Sequence, residues 1–205
     1  MSAENLDESL AALAQAGDVE AFDHIARQYQ AILLRFIRRN FPNIPDPEDV
    51  LQEALLKAYE NIGKYREQWP LKSWLFTLTH RMAISHIRRR GVHVRLIERL
   101  RHRAALELPT PADVPRDRDD AQNLWNTVAK LLTPTQFRAV WLLYAEDMTR
   151  DEIALILGKT RPTTKLILYR AKIKLQAHFA ANATSTAIAD GNAAGGHVTP
   201  GVLIL

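Results

Sequence analysis

The chain contains no cysteine, which excludes a disulfide scaffold, a thiolate zinc site and a cysteine nucleophile, and fits a reducing compartment. Long apolar runs are missing too. The longest, Ala139 to Ala145, is seven residues, against about 20 for a bilayer-spanning helix. No membrane insertion is expected. The first residues carry Glu4, Asp7 and Glu8 where a secretory signal has basic residues and an apolar core, so the expected location is the cytoplasm. No alternating strand pattern extends beyond a few residues, and no internal repeat is present. The seven histidines include His80, His86, His93 and His102, and none falls into an H-x-x-x-H or H-E-x-x-H spacing, so no metal site is expected. A nucleophile elbow, a phosphate loop and a dinucleotide fingerprint are likewise absent. The sequence therefore predicts no catalytic site and no cofactor.

What is present is an apolar fraction of 47%, enough for a packed core, and a net charge of +4 that is unevenly spread. Between Arg81 and Arg103 lie eight arginines against one acid, Glu98. Between Lys159 and Lys174 lie six basic residues and no acid. Residues 46–60 reverse the balance, with Asp46, Glu48, Asp49, Glu53 and Glu60 against Lys57. Two separated basic stretches suit two polyanion contacts, because neutralising phosphates releases counterions. Taken alone, the same charges also suit a solvated face.

Apolar spacing reads helix almost throughout. Leu6, Leu10, Leu13 and Ala14 form a first amphipathic stretch that Gly17 ends. Asp18 can cap a second helix whose buried face is Phe22, Ile25, Ala26, Tyr29, Leu33, Phe36 and Ile37. Asp46-Pro47-Glu48-Asp49 combines a capping side chain, a proline at the first helical position and acids at the positive end of the dipole. Residues 65–70 read as a loop, and a further helix runs from Leu71 to about Arg90. Pro109, Pro111 and Pro115, followed by a run of alternating charge, mark a linker. A second helical unit comprises 124–132, 133–146, 149–157 and 162–179. The fold expected is all-α, with two small helical domains at 1–92 and 121–180. A flexible linker joins them at 93–120, and a disordered tail occupies 181–205, ending in the apolar Val202-Leu203-Ile204-Leu205.

The sharpest local pattern is Thr149 to Lys174. Thr149 to Glu152 can cap a short helix, Gly158 suits the left-handed residue that ends it, and Pro162 starts a second, basic helix. That is the layout of a helix-turn-helix, whose second helix enters the major groove while basic groups hold phosphates. An ordinary helical hairpin in a bundle has the same outline. The candidate duplex-contacting residues are Arg161, Thr163, Thr164, Lys165, Ile167 and Arg170. Around residues 65–88, Tyr65, Arg66, Trp69, Lys72, Trp74, His80, Arg81 and Arg88 mix aromatic and cationic groups, the equipment for holding single-stranded bases over a backbone-binding groove. A core tryptophan or two, Trp74 first, is the plainer reading of the aromatics. On the 46–61 helix, Val50, Leu51, Ala54, Leu55, Ala58 and Tyr59 read as the buried face, leaving Asp49, Gln52, Glu53, Leu56 and Glu60 outward. An exposed leucine among charges suggests an interface with an apolar centre and polar rim.

These residues resemble a family. Leu157-Gly158-Lys159-Thr160-Arg161-Pro162-Thr163-Thr164-Lys165, with Leu168-Tyr169-Arg170-Ala171-Lys172 and Leu175, looks like region 4 of the extracytoplasmic-function (ECF) sigma factors. Gly17-Asp18, Ala21-Phe22, Ile25, Tyr29 and 33–36 resemble the start of region 2. Asp46, Glu48 to Glu53, Lys57, Ala58 and Tyr59 resemble its polymerase-docking helix, and Trp74-Leu75, Ala83 and His86 to Arg90 its promoter-melting segment. The resemblance implies a non-enzymatic transcription initiation factor. It implies that Asp49, Gln52, Glu53 and Leu56 meet a coiled coil of core RNA polymerase. The mixed aromatic and cationic set would read and help open the minus-ten element, and the basic second helix would read the minus-thirty-five element. An anti-sigma factor or other regulator is the further partner implied. Leu71, His80 and Arg81 depart from the usual pattern, as do Leu166 and Ile167, which replace a common serine and arginine. Contact with thymine methyls, a weaker upstream contact, or a helping protein are the alternatives at that point. A conventional helix-turn-helix regulator that binds duplex DNA without polymerase, and a helical nucleic-acid enzyme, are the competing readings.

Overall fold

A computed structural model of the chain describes the backbone of residues 3–101 and 120–190, and side chains over 6–90 and 124–180. Among the described residues every regular element is helical. Helix α1 (Ala3–Gln15) ends at Gly17, whose φ of +98° turns the chain, and Asp18 then caps α2 (Val19–Asn40) by accepting from the Glu20 and Ala21 amides at 2.9 and 3.1 Å. Asp46 caps α3 (Pro47–Asn61) through the Asp49 amide, as its sequence predicts. A 3-10 turn (Ile62–Lys64) and a loop lead to α4 (Leu71–Arg101). Gln15 ties the end of α1 to that loop, donating to the Ile62 and Tyr65 carbonyls at 3.0 Å each.

Residues three and four apart on these helices bury one stripe each. Phe22, Ile25, Leu33, Phe36 and Ile37 of α2 meet Val50, Leu51 and Ala58 of α3 and Leu71, Leu75, Phe76 and Ala83 of α4. Phe36 lies at the centre, with ring centroids 5.1 Å from Phe76 and 5.8 Å from Phe41.

The second unit comprises α5 (Asp120–Leu131), α6 (Pro134–Tyr144), α7 (Arg150–Leu157) and α8 (Arg161–Asp190). Helices α6 and α7 both begin with reciprocal capping boxes, Thr133 with Gln136 and Thr149 with Glu152. Gly158 ends α7 with φ +61°, donating to the Ala154 and Leu155 carbonyls, and sets α8 off at the turn. The two units pack together, α7 on α4 and α6 on α2.

Two boundaries differ from the sequence reading. Helix α4 continues through Gly91 to Arg101, and α8 continues to Asp190, ten residues into the stretch expected to be a disordered tail. Helix 4 meets no proline until Pro109, and an internal glycine costs only about 1 kcal/mol. Residues 181–190 are rich in alanine, the best helix former, and the next glycine is Gly191. The remainder of the expected linker (102–119) and tail (191–205) lies outside the described residues.

Gly158 and Gly63 offer a paired test of the helix-turn-helix geometry. A Cβ at either position meets nothing within 4 Å, but only Gly158 has a positive φ. Gly158→Ala is expected to lower stability by about 1–2 kcal/mol through left-handed strain alone, whereas Gly63→Ala is expected to leave it within about 1 kcal/mol. Denaturant unfolding of the two variants measures the difference.

Candidate nucleic-acid interface

Three surfaces carry the residues singled out by sequence. The first is the outward face of α3. Asp49, Gln52, Glu53 and Leu56 are all exposed there, Leu56 at 60%, with Tyr59 beside it at 44%. The inward set predicted for this helix is buried or half-buried except for Tyr59, whose ring lies 5.2 Å from that of Phe22 but stays exposed at the edge of the packed stripe. Glu53 accepts from Arg89 of α4 at 3.2 Å, so this acidic rim borders the basic stretch 88–90 within α4, where Arg88 is exposed.

The second surface surrounds the loop before α4. An open cleft of about 200 Å³ is lined by Arg66, Trp69, Trp74 and Arg81 from the first unit and by Leu155 from the second. Tyr65 is not on its surface. It is buried, its hydroxyl donates to the Trp69 carbonyl at 3.0 Å, and its ring lies 5.5 Å from that of Trp74. Its role is to hold the loop so that Trp69 and Arg66 face the cleft. Lys72 is half-buried and already engaged, donating to the Glu146 carbonyl at 2.6 Å. His80 is buried between the two units. Desolvation pushes its pKa down from 6.5 to about 4, the Arg138 and Arg81 charges push the same way, and a hydrogen bond with the Ile156 backbone opposes them. A neutral, covered imidazole makes no phosphate contact in this arrangement. Tyr65 and His80 are therefore packing groups here, because the inward faces of the loop and of α4 are where apolar bodies gain most by burial.

The third surface is α8. Arg161, Thr163, Lys165 and Arg170 are exposed as predicted. Arg161 is held by Asp151 at 2.9 Å, and the Thr160 and Thr163 hydroxyls share a hydrogen bond at 2.8 Å. Thr164 is fully buried and Ile167 is half-buried against the core. Thr164, Leu168 and Ala171 recur at the helical period and form the inward stripe, with Ile167 on its flank, so Thr164 is withdrawn from any base edge and Ile167 shows only part of its side chain. The outward face instead presents Leu166, Tyr169 and Ile173.

Sequence reasoning missed the contact between the units. Glu146 follows α6 with its side chain 2% exposed. It accepts from Arg35 at 3.0 Å and from the Trp141 indole at 3.2 Å, with the Lys72 ammonium 3.7 Å away. Ser73 of α4 donates to Glu152, and Arg138 stacks 4.7 Å over the Phe41 ring. Burial alone would raise the Glu152 pKa, but hydrogen bonds from Ser73 and Thr149, with the Lys72 charge, hold it below the ordinary value. An acid closing the apolar run 139–145 was the only local sign of this arrangement. Among the described residues, no group of three or more acidic, histidine or cysteine side chains is placed to hold a metal ion, and no helix is long and apolar enough to cross a membrane.

Comparison with known proteins agrees with this layout. Residues 25–92 match Sigma-70 region 2, and residues 126–175 match Sigma-70, region 4. The RNA polymerase sigma-E factor of Streptomyces coelicolor is 32% identical over 166 residues, spanning 78% of this chain and 86% of that protein. The ECF RNA polymerase sigma factor SigW of Bacillus subtilis is 26% identical over 78% of this chain and 89% of its own length. Two solved structures share the fold. RpoE of Bartonella quintana, solved with the anti-sigma factor NepR, has a TM-score of 0.60 at 24% identity over 77% of this chain and 96% of that one. CnrH, solved with the cytosolic domain of CnrY, has a TM-score of 0.58 at 22% identity over 86% and 98%. The chain belongs to the sigma-70 family, as an RNA polymerase sigma factor of the ECF type.

The buried neutral His80 makes stability depend on pH. Its folded pKa lies below the unfolded value of 6.5, so between about pH 6.5 and 4 the unfolded chain binds more protons and acid favours unfolding. At one pKa unit per about 1.4 kcal/mol, the loss across that window is at most about 3.5 kcal/mol. Denaturant unfolding at a series of pH values should show a smaller loss in His80→Gln than in the wild type.

Proposed function

We propose that the chain docks on core RNA polymerase through the outward face of α3, contacts the minus-ten region of a promoter with the cleft before α4, and contacts the upstream element with α8. The observation that carries this reading is Leu56. It is a 60% exposed leucine ringed by Asp49, Gln52 and Glu53 within the segment matching region 2. An apolar centre with a polar rim is the composition of a protein interface. The cleft supports the second assignment, since Trp69 offers a stacking face and Arg66 and Arg81 offer phosphate contacts around a space of about 200 Å³. On α8, Lys165 and Arg170 are solvent-facing cations on the second helix of a helix-turn-helix. Bond-making chemistry belongs to the polymerase, and the protein supplies positioning. A regulator of the anti-sigma kind completes the proposed partners, and the cytoplasm, where polymerase and promoter meet, is the proposed site of action.

Reconstituted transcription with purified core polymerase, followed by mapping of start sites, tests the reading. Start sites that do not depend on the protein would overturn it. Leu56→Ala is expected to weaken affinity for core polymerase about tenfold, the size of a modest interface hot spot, with no change in melting temperature. Charge reversal at Asp49 and Glu53 should act in the same direction. On upstream duplex DNA, Lys165→Ala is expected to weaken binding on all sequences and to flatten the salt dependence by about one. A change in sequence preference at constant salt slope would reassign Lys165 to base contact.

A further inference from the structure

The outward face of α8 carries an apolar side chain where a polar reader of base edges would be expected. Thr164 is fully buried, and two residues further on is about 200° around the helix, so Leu166 points directly away from the core. It is 46% exposed. The helix starts at Arg161, so Leu166 sits in its second turn, close to the end that enters the groove in a helix-turn-helix. Lys165 and Arg170 are exposed on either side of it, and Thr163 lies one turn before it. No acid occurs between Lys159 and Lys174. Leu166, with Tyr169 and Ile173 further along the same face, is an apolar group set among cations, a poor match for bulk water and a good one for a groove whose walls are phosphates and whose floor carries methyl groups.

We propose that Leu166 is a specificity-determining residue that reads thymine in the upstream promoter element by packing on its C5-methyl group. Of the four bases only thymine presents a methyl in the major groove, so an apolar side chain at this position discriminates without a hydrogen bond. Lys165 and Arg170 hold the flanking phosphates and set the depth of the helix, and Leu166 supplies the sequence information. The proposal rests on the reading of α8 as the promoter-contacting helix, and deepens it by naming the chemical group recognised. The rim of cations favours duplex DNA over a protein as the occupant of this face.

The test removes one methyl at a time. Holoenzyme assembled from core polymerase and the full chain is used to select from a duplex library randomised across the upstream region. The selected duplex is then remade with each thymine replaced by deoxyuridine, which differs only by the methyl. For the wild type, one or two of these replacements are expected to weaken binding about fourfold, the worth of one buried methyl-sized group. In Leu166→Ala the thymine and deoxyuridine duplexes should bind equally, and an unchanged melting temperature shows that the variant is folded. Selection of an upstream sequence with no deoxyuridine effect, or with an effect that survives Leu166→Ala in full, overturns the proposal and assigns the apolar face to a protein contact. Failure to select any upstream sequence overturns the reading of α8 itself, and the proposal with it.

Discussion

The carboxylate of Glu146 lies between the two helical units with 2% of its side chain exposed, immediately beyond the C-terminus of α6. Both facts work against it, since burial penalises a charge and the end of a helix carries a partial negative charge of its own. What offsets the penalty is the set of donors around it. The Trp141 indole comes from the same unit, but the Arg35 guanidinium and the Lys72 ammonium come from the other. The charge is therefore compensated only when α6 rests on α2 and α4. A buried ion pair adds little net stability, but leaving one member unpaired is costly, so this contact selects an arrangement of the units more than it stabilises either one. Ser73 on Glu152 and Arg138 over Phe41 repeat the pattern at either side.

That arrangement has a consequence for the surface around the loop before α4. Lys72 has one ammonium, and Glu146 holds it through both its carbonyl and its carboxylate. A phosphate that takes Lys72 does so in exchange for those contacts. His80 is covered and neutral for the same reason, and Leu155 closes one side of the cleft that Arg66, Trp69 and Arg81 line. By contrast the outward faces of α3 and α8 remain open, with Leu56 and Leu166 each exposed among charged neighbours. The contact between the units leaves the two outer surfaces free and engages the one between them.

Much of the architecture was legible in the order of residues because its causes are local. Asp18, Asp46, Thr133 and Thr149 cap helices through amides two or three residues away, and Gly17 and Gly158 turn the chain through their own φ. The buried stripes of α2 and α3 follow from the 3.6-residue period, which also separated Leu56 from Ala54 and Ala58. Helix ends without a strong stop were read less well. Nothing local distinguishes a continuing α4 beyond Gly91 or an alanine-rich extension of α8 from loop, since helix propensity differences there are a fraction of a kcal/mol per residue.

The sequence by itself determined the helical class, the two units, the helix-turn-helix and the acidic face of α3, together with the family to which the chain belongs. Each of these is written in spacing along one segment. The tertiary structure alone decided which predicted contact residues are available. Tyr65, His80, Thr164 and Ile167 are chemically suited to nucleic acid, yet all four are wholly or partly buried. Tyr65 and Thr164 are withdrawn by the packing of their own unit. Lys72 and His80 are engaged by a partner more than 50 residues away in sequence. Burial is a property of what lies across from a side chain, and for Lys72 and His80 that neighbour is supplied by the other half of the chain.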